Sequence, residues 1–160
     1  MFKPFFSIPT PPQSHDLIDR EPWLNNDDPT NHIGDIFLHV KSRFRYERDE
    51  PGQDIWGNGR YENKTLGKGQ VLVGDCDDFS IEILKQLKLH GAKSKEIALV
   101  ICKTTKGQSH MVAAFHSKTE THIFDNTKSK VAPATDPQFE GYKWEYMSKN
   151  NKWFSIILNR

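Results

Sequence analysis

The order of hydrophobic periodicities constrains this chain more than any other feature: helical spacing comes first, and two-residue alternation follows. Ile33, Phe37, Val40 and Phe44 succeed one another at spacings of four, three and four, which makes one face of a helix expected over about 29–45. Asp28 and Pro29 suit its cap and first turn. Asp75 can cap a second helix, with Phe79, Ile83, Leu84 and Leu87 as its apolar stripe and Gly91 as its end. Strand candidates then fill 97–103, 110–116, 121–125, 142–147 and 152–158, with turn-like segments at 104–109, 117–120 and 148–151. Between them, Thr127 to Gly141 contains prolines and reads as irregular. Helices before antiparallel strands predict an α+β domain, the second helix laid on a C-terminal sheet.

Size and charge narrow the function. A chain of 160 residues that is 36% hydrophobic suits one core. We expect an extended N-terminal segment over 1–28, docking through Trp23 and Leu24, and a single domain over 29–160. The net charge of +1 comes from scattered residues of both signs, so there is no basic stripe for a phosphate backbone. Nucleic acid is excluded as the main partner. Apolar runs such as Ile97 to Cys102 have strand length, too short to cross a bilayer. No membrane insertion is expected. Pro4, Pro9, Pro11 and Pro12 interrupt any signal-peptide core near the N-terminus. A cytoplasmic location is therefore expected (a host's, if the protein is viral), or a periplasmic one if a signal has been removed. The glycines between Gly52 and Gly74 suggest a long loop, containing Trp56 and Tyr61, that leads into the second helix.

Chemistry concentrates at the start of the second helix. The chain has two cysteines, too few for a disulfide framework. Cys102 ends the apolar run from Ile97 and reads as a buried strand residue. Cys76, in Gly74-Asp75-Cys76-Asp77-Asp78-Phe79, lies in the first turn on the same side as Phe79 and Ile83, so its sulfur faces the sheet. His110 and Asp125 fall on adjacent strand candidates that form a hairpin through Ser117 to Glu120. Cross-strand pairing would bring them together at its open end, about 5 Å apart at Cβ if directly opposite. Cysteine, histidine and aspartate can thus supply nucleophile, base and orienter. The Cys76 N–H, at a helix start, is a natural oxyanion donor. His15, His32, His39, His90, His116 and His122 read as surface or core residues, and Asn126 as a turn residue.

The acids flanking Cys76 conflict with that role. Asp75, Asp77 and Asp78 would raise the thiol pKa by like-charge repulsion. Each can interact with the helix dipole for about 0.3–1 kcal/mol. Alternatively, the three carboxylates hold a hard cation, most naturally Ca²⁺ with backbone carbonyls and waters completing its shell. Zinc on Cys76, His110 and an acid has no paired-cysteine spacing to support it.

Gly-Asp-Cys-Asp-Asp-Phe opening a helix, His110-Met111-Val112 about 34 residues on and Phe124-Asp125-Asn126 some 15 beyond resemble the bacterial transglutaminase-like cysteine peptidases, the LapG-type proteases. The similarity spans roughly residues 35–158. It implies a papain-like or transglutaminase-like core, a triad of Cys76, His110 and Asp125, and calcium held by Asp75, Asp77 and Asp78. Asp77 stands where the family usually carries glutamate, and Trp56, followed here by a different and longer segment than the family's upstream tryptophan, is a candidate substrate-cleft or oxyanion-side residue, with simple packing as the alternative. The expected activity is hydrolysis of peptide bonds in a protein or peptide substrate by a monomer that a protein partner can regulate. A transamidase using the same triad, or a calcium-stabilised binding module without turnover, are the alternatives.

Overall fold

The computed structural model describes residue 30 and residues 32–48, 60–63, 70–149 and 152–156. Its first element, α1, is Ile33–Ser42, shorter than expected. Asp28 and Pro29 lie outside the described residues, as does the whole of 1–28. At the other end the Arg43 N–H turns back to Val40 O at 3.0 Å, and the Arg43 guanidinium and Ser42 hydroxyl both reach His39 O. With its last carbonyls satisfied in this way the helix stops, and Phe44 opens strand β1 (Phe44–Tyr46). Its ring still packs on Phe79, centroids 5.1 Å apart.

The expected long loop is corrected by a small sheet. Strands β2 (Arg60–Asn63) and β3 (Gln70–Gly74) lie within that stretch, and β3 pairs in parallel with β1 and antiparallel with β2. Strands this short, with polar or glycine residues at their ends, leave little two-residue alternation to read. Val71, Leu72 and Val73 supply its buried centre. β3 leads directly into helix α2, Cys76–Leu89. At the far end of α2 the Ala92 N–H returns to Leu87 O at 2.9 Å while Gly91 takes φ +97°, the left-handed conformation that ends helices at glycine.

A six-stranded antiparallel sheet follows: β4 (Ile97–Lys103), β5 (Ser109–His116), β6 (Thr121–Phe124), β7 (Ala132–Pro133), β8 (Lys143–Lys149) and β9 (Lys152–Ser155), in the order β7-β6-β5-β4-β8-β9. The chain is therefore α+β, as its periodicities predicted. Residues 157–160, the end of the last expected strand, lie outside the described residues. One face of the sheet carries Ile97, Ala113, Phe115 and Phe124 against Phe79, Ile83 and Leu87 of α2 and Ile36, Phe37 and Val40 of α1. The other carries Ala98, Val100, Cys102, Val112 and Ala114 against Phe139, Tyr142 and Trp144. The irregular stretch after Thr127 is thus a covering layer, containing β7 and a 3-10 turn at Pro137–Phe139.

Candidate active site

The start of α2 is built by a reciprocal cap. Asp75 is the N-cap, and Asp78 reaches back so that its Oδ2 accepts from Asp75 N–H at 3.0 Å. Gly74 makes room for this: a Cβ there would lie 2.6 Å from the Asp78 Cβ and closer still to Oδ2. All three acids are buried, with Asp75, Asp77 and Asp78 exposing 8%, 6% and 5% of their surface.

The same turn is seated on β5 where the neighbouring strand has ended. The last β6 residue, Phe124, pairs with Ala113, so the β5 backbone before Ala113 has no β6 partner on that side. Met111 lies there. Its N–H points at the Cys76 sulfur, and Ser80 Oγ, fully buried, donates to Cys76 O at 2.7 Å and approaches Met111 O at 3.3 Å. The nucleophile candidate thus rests on the backbone of the residue following His110. Burial pushes the Cys76 thiol up to about 12; the Met111 N–H opposes that, while the charges of Asp77, Asp75 and Asp125 reinforce it. In this setting the thiol holds its proton at neutral pH.

His110 and Asp125 meet directly, with Nε2 and Oδ1 2.8 Å apart. The ladder register differs from direct opposition. Pairing runs from Ala113↔Phe124 to His116↔Thr121, which places the residue after Phe124 across from Val112. The two side chains are therefore diagonal neighbours on one face of the sheet. Burial pushes the Asp125 carboxyl up, but the hydrogen bond and charge of His110, joined by the Thr127 N–H and hydroxyl, outweigh it and bring the group down to about 2. A carboxylate only accepts, so the imidazole carries its proton on Nε2 and leaves Nδ1 as its acceptor.

Asp125 is fully buried and each of its oxygens is occupied. Oδ1 accepts from His110, from Thr127 N at 2.9 Å and from Thr127 Oγ1 at 2.8 Å; Oδ2 accepts from Tyr142 OH at 2.8 Å. From α1, Lys41 Nζ donates to Asn126 O at 2.7 Å and to Lys128 O, tying the following turn to the helical layer. The run Asp-Asn-Thr signals such a turn in sequence. No sequence pattern pointed to Tyr142, Lys41 or Ser80: the first two reach the site from distant segments, and Ser80 is a polar residue one helical turn after Cys76.

Other expectations sort plainly. Cys102 is fully buried opposite His110, its thiol donating to His110 O at 3.6 Å. His116 bonds Thr121 Oγ1 at 2.9 Å, and His122 stacks on Phe115. Asn126 contributes its carbonyl to Lys41 in the turn. Trp56 lies outside the described residues. Among those residues no three His, Cys, Asp or Glu side chains gather into a metal-binding cluster, and Asp78 is turned to the cap. The donor set of Asp75, Asp77 and Asp78, all hard carboxylate oxygens, nevertheless has the chemistry that suits calcium.

The sequence profile of the family described as bacterial transglutaminase-like cysteine proteinase, BTLCP, matches residues 23–160. The chain belongs to this family. It is accordingly a transglutaminase-like cysteine peptidase, and its substrate is a protein or peptide. Its fold is similar to that of calcium-bound Legionella pneumophila LapG, with TM-score 0.64 and 22% identity over 82% of this chain and 71% of LapG. EGTA-treated Legionella pneumophila LapG gives TM-score 0.64 and 21% identity over 84% and 71%. No curated protein matches. Among the described residues no helix of this family member is long and apolar enough to cross a membrane.

Proposed function

We propose that this peptidase cleaves peptide bonds through Cys76, His110 and Asp125. Nδ1 of His110 accepts the Cys76 proton as sulfur attacks the substrate carbonyl carbon. The oxyanion that forms accepts from the Cys76 N–H, one of the first-turn donors with no helical partner. His110 then protonates the leaving amine, and a thioester to Cys76 remains. Water attacks the thioester with His110 again as base, releasing the new carboxylate and restoring the thiol. Asp125 holds the imidazole by Nε2 and favours the imidazolium through its negative charge. The observation that carries this reading is the contact of part-buried His110 with fully buried Asp125 at 2.8 Å, one residue from Met111, whose N–H faces the Cys76 sulfur.

Calcium belongs to the same reading. Asp75, Asp77 and Asp78 are the carboxylates this chain offers, and bound calcium would supply positive charge to offset them beside the sulfur. The LapG structures include calcium-bound and EGTA-treated forms. We place the protein as a monomeric domain over residues 29–160 acting in the cytoplasm.

The test is to incubate a denatured proteome with the enzyme and calcium and label the new amino termini. Wild-type enzyme should generate termini that Cys76→Ala and His110→Ala do not. The same termini from Cys76→Ala would contradict the proposal.

A further inference from the structure

The geometry points to Tyr142 as a positioning residue of the reaction, acting through Asp125. Resting on the triad proposed above, this adds a residue that touches neither substrate nor sulfur. The Tyr142 hydroxyl donates to Asp125 Oδ2 at 2.8 Å, the oxygen that His110 and Thr127 leave open. A carboxylate held at one oxygen alone can turn about its χ2 torsion, which is broad for aspartate. Held at both, its plane is fixed, and Oδ1 stays aimed at Nε2. Removing the phenol would leave a fully buried carboxylate oxygen without its partner.

Tyr142 is itself delivered with little freedom. The covering layer ends in a turn in which Tyr142 N–H returns to Phe139 O at 3.0 Å, while Gly141 sits at φ +85°. The left-handed conformation there suits glycine. A Cβ at Gly141 would also meet Thr105 Oγ1 at 3.0 Å. The Tyr142 ring is then wedged between Phe139 and Trp144, centroids 5.5 Å from each, with Lys128 Nζ 5.3 Å above it. Burial and the neighbouring Asp125 charge push the phenol pKa up, so it remains a donor throughout the working pH range. Tyr142→Phe therefore removes the hydrogen bond while keeping the ring and its contacts.

Two readouts test this in calcium-containing buffer. The first is the pH profile of Cys76 alkylation by iodoacetamide. A loosened Asp125 stabilises the His110 imidazolium less, so the thiolate forms at higher pH. Tyr142→Phe should move the midpoint upward and lower the rate at pH 7 about tenfold, the size expected for a hydrogen bond to a charged group. In an Asp125→Ala background the same substitution should add no further change. The second readout is the downfield proton resonance of the His110 Nε2–H in Cys76→Ala protein, which should shift or broaden in Tyr142→Phe. An unchanged profile in Tyr142→Phe beside an impaired Asp125→Ala overturns the role of Tyr142. Effects of the two substitutions that multiply independently overturn it too. An Asp125→Ala protein that alkylates normally overturns the triad instead.

Discussion

Two regions supply the groups proposed to react, and they are finished to different degrees. At the open end of the β5–β6 hairpin, His110 and Asp125 are complete: the acid is buried, ionised and bonded at both oxygens, and the imidazole tautomer follows from it. At the start of α2 the geometry is equally defined, by the Asp75–Asp78 cap and the Ser80 contact with β5, but the thiol is not ionised. Burial and nearby carboxylates leave Cys76 protonated, with its thiol pKa near 12. On the proposed triad, the base is oriented while the nucleophile keeps its proton. That contrast teaches that folding alone arranges the His110–Asp125 pair, whereas on the proposed reading the thiol would draw compensating positive charge from calcium or from the imidazolium.

The largest expected effects break the contrast at its two ends. Cys76→Ala and His110→Ala should each lower kcat by about a thousandfold or more, with melting temperatures changed little. Kinetic assays beside thermal melts check this, and residual turnover within tenfold of wild type would contradict it. Next comes the acid pair. The folded pKa of Asp125, about 2, lies below its ordinary 3.8, so the ionised group stabilises the fold above pH 4 and that contribution vanishes as pH falls through 2. The shift corresponds to about 2 kcal/mol. Denaturant melts between pH 5 and pH 2 should show a loss that Asp125→Asn lacks.

A comparable cost attaches to the helix start. Gly74→Ala places a methyl group against Asp78 and should cost about 1–2 kcal/mol through the displaced cap, read by denaturant melts. The smallest effect concerns the metal. Calcium at about three times its dissociation constant should stabilise the protein by about 0.8 kcal/mol, and EGTA should reverse it. Asp77→Asn should reduce that shift, since Asp77 stands beside the sulfur and outside the cap.

Much of this was legible in the sequence because the signals are local. The stripe through Phe79, Ile83 and Leu87 and the alternation through β4, β5 and β6 placed Cys76 and His110 on the right elements and Asp125 one residue beyond the end of its strand, and turn length brought the hairpin partners near each other. What could not be read depends on segments meeting in space. The small sheet of β1, β2 and β3 is too short to show a period, and the end of α1 is set by backbone bonds around Arg43, while Phe44 keeps the helical spacing. Tyr142 and Lys41 converge on the Asp125 turn from 17 and 85 residues away, through a glycine-dependent turn and a helix that carry no catalytic pattern. Register was nearly right: a two-residue shift turned direct opposition into a diagonal contact without separating the side chains.

Iodoacetamide alkylation of Cys76 at pH 7, followed by peptide mass spectrometry, tests the central claim most directly. In EGTA the thiol should react more slowly than a free cysteine; with calcium it should react faster than one, and His110→Ala should abolish that acceleration while Cys102 stays unlabelled. Labelling of Cys76 at the free-thiol rate, indifferent to calcium and to His110→Ala, would contradict the account.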